Sequence, residues 1–315
     1  MWSLFSKRRL YKGNRENYSP YKQGGISLLF KIISLSIPLS ISSSFGVILR
    51  FINTILIPNR LMAAGYTSNE AIASFGRLMG MTFPLISLSF IVTSALVINL
   101  IPSLSEKKVR KRYREMRRDI QLSFKAAFLI SLPLAAVLMA LPNTLAVVLY
   151  NDPLVSSYIK IMGFGALVMA IQHTFSGILL GLNKQINSTA NDLIGMTIRI
   201  IIIYFLVGNP KFGIKGFFIA FYVSKLTSIV LDIITLRSVI KLNINYIDII
   251  GKPLIGSIFL VLSIYISSFS LNSLENPNIL ALISSIAVGA LAYIFTLTLT
   301  RAIPKNFFRR LIKGQ

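Results

Sequence analysis

The sequence predicts an all-α fold, a polytopic membrane bundle of about eight transmembrane helices. Three observations predict it. The chain of 315 residues is 54% hydrophobic and only 14% charged, with a mean hydropathy of +0.70, whereas a soluble domain carries about 25% charged residues. Its apolar residues fall in runs of about 18 to 26, long enough to cross a hydrocarbon layer of about 30 Å. Turn residues and blocks of cations divide those runs. In lipid each backbone N–H and C=O must bond within its own segment, so runs of this length are helices.

The first span is read over 32–57 and closes at Pro58-Asn59. The second covers 78–101 and the third 124–149, which ends at Asn151-Asp152-Pro153. The fourth and fifth cover 157–180 and 189–207, the latter closing at Gly208-Asn209-Pro210. The sixth and seventh cover 214–236 and 254–271. Asn276-Pro277-Asn278 then leads into the eighth, 279–300. Pro38, Pro84 and Pro133 fall inside spans, where each removes a backbone donor and bends its helix. Gly76–Gly80 and Gly177–Gly181 are small-xxx-small pairs that allow close helix approach.

Net charge is +23, which on a soluble chain would suggest nucleic acid. Here the cations sit in blocks between apolar runs, the pattern of membrane topology, so no nucleic-acid partner is expected. With 1–31 placed in the cytoplasm, alternate segments hold 25 of the 33 Lys and Arg. The outer loops and their edges hold four, namely Arg60, Arg77, Lys211 and Lys215. Both termini are therefore expected to be cytoplasmic. The stretch 102–125 reads as a short amphipathic helix at the inner interface that contacts anionic phospholipid head groups. No cleavable signal peptide is read, because the first apolar segment is too long for one.

Ionisable residues inside spans are costly and mark cavities or partners. Four cations qualify: Arg50, Lys160, Arg199 and Lys225. Lys160 lies near a span end beside Tyr158 and can snorkel. Arg199 and Lys225 lie near mid-span, with Asp192 seven residues before the first and Asp232 seven after the second. Each pair shares a helix face, but about 10 Å separates its members along the axis. They are expected either to form a structural charge cluster between the fifth and sixth spans or to wall a cavity for an anionic head group. Enzyme constellations are missing. No cysteine is present, the ten acidic residues are scattered without a DxD or HExxH pattern, and His173 is the lone histidine. No phosphate-binding P-loop occurs. No enzyme activity, metal or cofactor is expected.

Residues 35–105 contain IPLSISS, LIPNRLMAAGYTSNEA and GRLMG-x-x-x-P leading into LIPSLSE, followed further on by LYNDP and SGILLGLNK. In order and spacing this stretch resembles the stage V sporulation protein B family. That family comprises polysaccharide-type flippases of the multidrug/oligosaccharidyl-lipid/polysaccharide exporter superfamily. The similarity covers essentially residues 26–305. Family members typically have fourteen helices, two lobes of six around a central cavity and an extra pair.

The resemblance implies that this chain corresponds to helices seven to fourteen. Residues 1–31 would be a cytoplasmic basic linker, 32–236 a six-helix C-terminal lobe, and 237–315 two further helices with a basic tail. It also implies movement of polyprenyl-pyrophosphate-linked cell-wall or polysaccharide precursors across the bacterial cytoplasmic membrane, in peptidoglycan or spore-cortex assembly. The last two helices would help to form a groove for the lipid tail. Related lipid II flippases carry an arginine in an alanine-aspartate-arginine-leucine stretch. Here the stretch is Phe75-Gly76-Arg77-Leu78, so Arg77 inherits the position without the aspartate. The expected substrate-binding cations are Arg77, Arg50, Arg199 and Lys225, with Asp192 and Asp232 as charge partners. A separately encoded N-terminal lobe or a second copy would complete the cavity. The alternative is a truncated, non-transporting scaffold or gene remnant.

Overall fold

The structure, a computed structural model, describes residues 44–49, 51–240, 247–270 and 278–302, all within one compact unit. The helices are α1 (Ser44–Ala63), α2 (Ser68–Gly76), α3 (Phe83–Val109), α4 (Tyr113–Ala140) and α5 (Pro142–Tyr150). They continue as α6 (Val155–Gly181), α7 (Gln185–Ile202), α8 (Lys215–Val239), α9 (Lys252–Ser270) and α10 (Ile279–Leu299). Wider, π-type turns join α2 to α3 (Arg77–Thr82), extend α7 (Ile203–Val207) and lead into α9 (Ile247–Gly251). Among the described residues eight continuous helical segments are long and apolar enough to cross a membrane, the number that the sequence predicts.

The fourth of these, α6, is the centre of the bundle. Its apolar window is 67% buried, against 22% to 44% for the others. In lipid no hydrophobic force drives helix against helix, so close van der Waals packing must do so, and small residues permit it. A Cβ at Gly163 would meet Met139 of α4, and one at Gly165 would lie 3.0 Å from the Phe221 ring of α8. At Gly181 it would lie 3.1 Å from the Ile101 carbonyl of α3. The Gly177–Gly181 pair is thus a helix contact. Gly76 and Gly80 face no atom within 4 Å, so the same sequence pattern is not a contact there.

Three expected boundaries move. Pro58-Asn59 is not a turn: α1 runs through it to Ala63, and the chain reverses at Gly65, whose φ of +98° suits glycine. The stretch 102–125 is not a separate interfacial helix. Instead α3 runs on to Val109, the chain turns at Arg110–Arg112, and α4 begins at Tyr113. Lys111 adopts φ 54° there and the Arg112 N–H bonds to the Lys107 carbonyl, a left-handed cap that ends the helix sharply. The third expected span is broken at Leu141-Pro142, after which α5 starts. Pro38 and residues 1–31 lie outside the described residues, as do Asn276 and Pro277.

Pro133 inside α4 has no N–H for the Leu129 carbonyl four residues back. The hydroxyl of Tyr293 on α10 donates to that carbonyl at 2.8 Å, so a proline defect in one helix becomes a tether for another. Tyr293→Phe should therefore lower the melting midpoint in detergent by an amount equivalent to about 1–3 kcal/mol. Pro133→Ala should remove most of that loss by restoring the helical donor. If Tyr293→Phe costs as much in the Pro133→Ala background as in wild type, the tether is not compensating for the proline.

Candidate functional site

Charge gathers in three places. At one end of the bundle, Arg77 opens the π-type turn between α2 and α3. Its Nε donates to Asp152 Oδ2 at 2.7 Å, and each side chain is about a quarter exposed or less (24% and 21%). The guanidinium holds the Asp152 carboxyl below the usual carboxylate range, so the pair remains ionised at neutral pH and parts only in acid, as pH falls through that lowered value. The same loop is tied a second time: the Tyr150 hydroxyl donates to the Met81 carbonyl at 2.8 Å. The Thr82 hydroxyl donates to the Arg77 carbonyl at 2.9 Å, so the widened turn leaves these groups bonded. Beside Arg77 lies a cavity of about 660 Å³ formed by the turn that follows α1, by α2 and by Leu154.

Arg60, read in the sequence only as an outer-loop cation, belongs to this end too. Its Nε donates to the Tyr204 carbonyl at 2.9 Å, and its guanidinium lies 4.2 Å above the Tyr204 ring. It clamps α1 to the π-type turn that ends α7. A separation of 144 residues hides this pairing from any local pattern.

The second place is a polar seam between α6, α7 and α8. Gln172 donates to Asp192 at 2.6 Å, and Lys225 Nζ lies 3.7 Å from the same Oδ1. Asn191 donates to Asp232 at 2.8 Å and to Thr235 at 3.2 Å, and Asp232 is 1% exposed. Asp192 and Lys225 therefore pair across helices, not along them. Arg199 stands two turns from Asp192 on the same helix, with its side chain partly buried. Lys160 is exposed at its span end. Arg50 lies outside the described residues. His173 lies against Phe90 of α3, with ring centres 4.1 Å apart and the rings tilted by 48°. Among the described residues no cluster of three His, Cys, Asp or Glu side chains could hold a metal ion.

At the opposite end, Lys107 pairs with Asp119 across the α3–α4 turn. Ser103 donates to that carboxylate at 2.7 Å, and Lys108 donates to the Leu182 carbonyl at 2.5 Å. A groove of about 650 Å³ opens from this end between α3, α4 and α10. Its walls include Leu100, Leu129 and Leu297, with Asp119 and Lys125 at one end. Of the last two helices, α10 lines it and α9 does not.

A bundle of apolar helices around a glycine-rich centre, with a polar seam between three of them and a cavity at one end, defines a multi-pass membrane protein. The chain belongs to the MatE family, whose model matches residues 38–205. It is 24% identical over 302 residues to "Stage V sporulation protein B" of Bacillus subtilis (strain 168), a match covering 94% of this chain and 57% of that protein. It is also 22% identical over 151 residues to "Sporulation protein YkvU" of the same organism, covering 47% of this chain and 34% of that protein. The chain thus spans little more than half the length of the first of these relatives and a third of the second. No solved structure matches it.

Proposed function

We propose that this chain forms the second lobe of a MATE-like flippase that moves a polyprenyl-pyrophosphate-linked saccharide across the bacterial cytoplasmic membrane, in peptidoglycan or spore-cortex assembly. The observation that carries the reading is similarity to a sporulation protein along 94% of the chain, together with the match to the MatE family model. The geometry supports it in two ways. Arg77 offers charge-assisted hydrogen bonds to an anionic head group beside a cavity. The α3–α4–α10 groove, apolar with a charged end, suits a long hydrocarbon tail. Arg199 and Lys225 would add positive charge along the path, and Arg50 would belong to the same set.

In this reading both termini and the cationic 107–118 turn face the cytoplasm, where the turn meets anionic phospholipids. The opposing cavity wall is a first lobe, on the same polypeptide or another, or a second copy. The test is translocation of a fluorescent polyprenyl-pyrophosphate saccharide in proteoliposomes that hold this lobe with its first lobe. Arg77→Ala is expected to slow translocation about tenfold, the loss of roughly 1.4 kcal/mol of head-group binding, at unchanged membrane abundance. Translocation that is the same with and without this lobe would instead favour a non-transporting scaffold.

A further inference from the structure

Arg77, which lines the cavity, already holds an anion, and it is the protein's own. Asp152 reaches Arg77 through one oxygen and one nitrogen, Oδ2 to Nε. A guanidinium has five N–H donors in a planar fork that suits two oxygens of a phosphate or carboxylate at once. The Nη groups of Arg77 make no hydrogen bond among the described residues. The pair is thus a side-on contact that leaves most of the fork unused.

Two further contacts make this carboxylate replaceable. Its other oxygen, Oδ1, accepts from the Leu154 N–H at 3.0 Å, so the side chain keeps a local partner when the arginine leaves. The Tyr150–Met81 bond fastens the α5–α6 loop to the π-type turn without help from the ion pair. The carboxylate that does line the cavity, Glu70, is turned away from this exchange. It accepts from the Thr67 N–H and hydroxyl, both at 2.9 Å, and so closes the first turn of α2.

We propose that Asp152 is the resting occupant of an anion site on Arg77, a carboxylate that a phosphate-bearing head group must displace in order to bind. Asp152 then acts as a positioning and selectivity residue. A single carboxylate or a weakly charged head group cannot compete with it. A pyrophosphate, with two phosphoryl groups to fill the fork, can. This inference rests on the reading that Arg77 meets an anionic head group.

The test is equilibrium dialysis of radiolabelled inorganic pyrophosphate against the full chain in detergent micelles, with the melting midpoint recorded for every variant. Asp152→Asn keeps an acceptor for Leu154 and removes the competing charge. It should bind pyrophosphate about tenfold more tightly than wild type, the effect of removing one charge-assisted competitor. Arg77→Ala should abolish binding. If Asp152→Asn binds no more tightly than wild type while Arg77→Ala still loses binding, the competitor role is wrong and the anion reading stands. If Arg77→Ala binds like wild type, or if neither wild type nor Asp152→Asn exceeds the Arg77→Ala background, the anion reading falls and this inference with it. Should Asp152→Asn fail to fold, Asp152→Ser, which also offers an oxygen to Leu154, takes its place. Loss of the fold in both would make the pair structural and overturn the proposal.

Discussion

Gly177→Leu is expected to abolish the folded bundle, and Gly177→Ala to weaken it by about 1–3 kcal/mol. A Cβ at position 177 would lie 2.8 Å from Val97 Cγ2, a distance that real Cβ atoms do not tolerate. The neighbour is a β-branched side chain with little rotamer freedom, held on a helix that also packs at Ile101 and Leu104. Relief therefore requires α3 and α6 to separate, and α6 is the helix against which α3, α4 and α8 are built. Membrane abundance and the melting midpoint in detergent are the measurements. Val97→Ala should rescue Gly177→Ala in part and Gly177→Leu hardly at all. Gly80→Ala is the internal comparison. It has the same spacing pattern but nothing within 4 Å, so it should be neutral or mildly stabilising through helix propensity. Equal losses at 177 and 80 would mean that the α3–α6 contact does not limit stability.

That contrast shows how much of the fold and site can be read from residues alone. Span number and type are legible because hydrocarbon thickness and backbone hydrogen bonding act on every residue in a run, so that composition over a window suffices. A small-xxx-small pair says only that a helix could approach. Which neighbour arrives is decided by packing across 80 residues, as with Val97 and Gly177.

The same limit governs the charges. Along one helix, Asp192 and Arg199, or Lys225 and Asp232, are too far apart to pair. The register between α7 and α8 instead sets Lys225 beside Asp192 and Asn191 beside Asp232. Arg77 and Asp152 lie 75 residues apart, each inside a segment that carries the family resemblance. The sequence marks both segments, and only the structure joins them. Arg60 too lies inside a segment that carries the resemblance, but nothing in that segment names its partner, the carbonyl and ring of Tyr204.

The second large effect is expected at the seam. Interhelical hydrogen bonds between neutral groups in membranes are worth less than about 1 kcal/mol on average. The Asn191–Asp232 contact should exceed that, because its acceptor is a carboxyl group only 1% exposed and Asn191 is the donor that reaches it, at 2.8 Å. Asn191→Leu fills similar space but leaves the carboxyl without that donor, at a cost of roughly 3 kcal/mol. It also strips Thr235 of a partner. Asn191→Leu with Asp232→Leu removes both halves and should recover to within about 1 kcal/mol of wild type, giving a coupling of at least about 2 kcal/mol in a double-mutant cycle, larger by whatever Asp232→Leu costs alone. Losses that simply add would show that Asn191 does not stabilise Asp232. The same pair of variants separates scaffold from machinery. If the seam only holds α7 to α8, the stable double-leucine variant should still support translocation. If the Asp232 carboxyl group faces the cargo or a coupled ion during the cycle, that variant should be folded, abundant and inactive, an outcome that stability alone cannot produce.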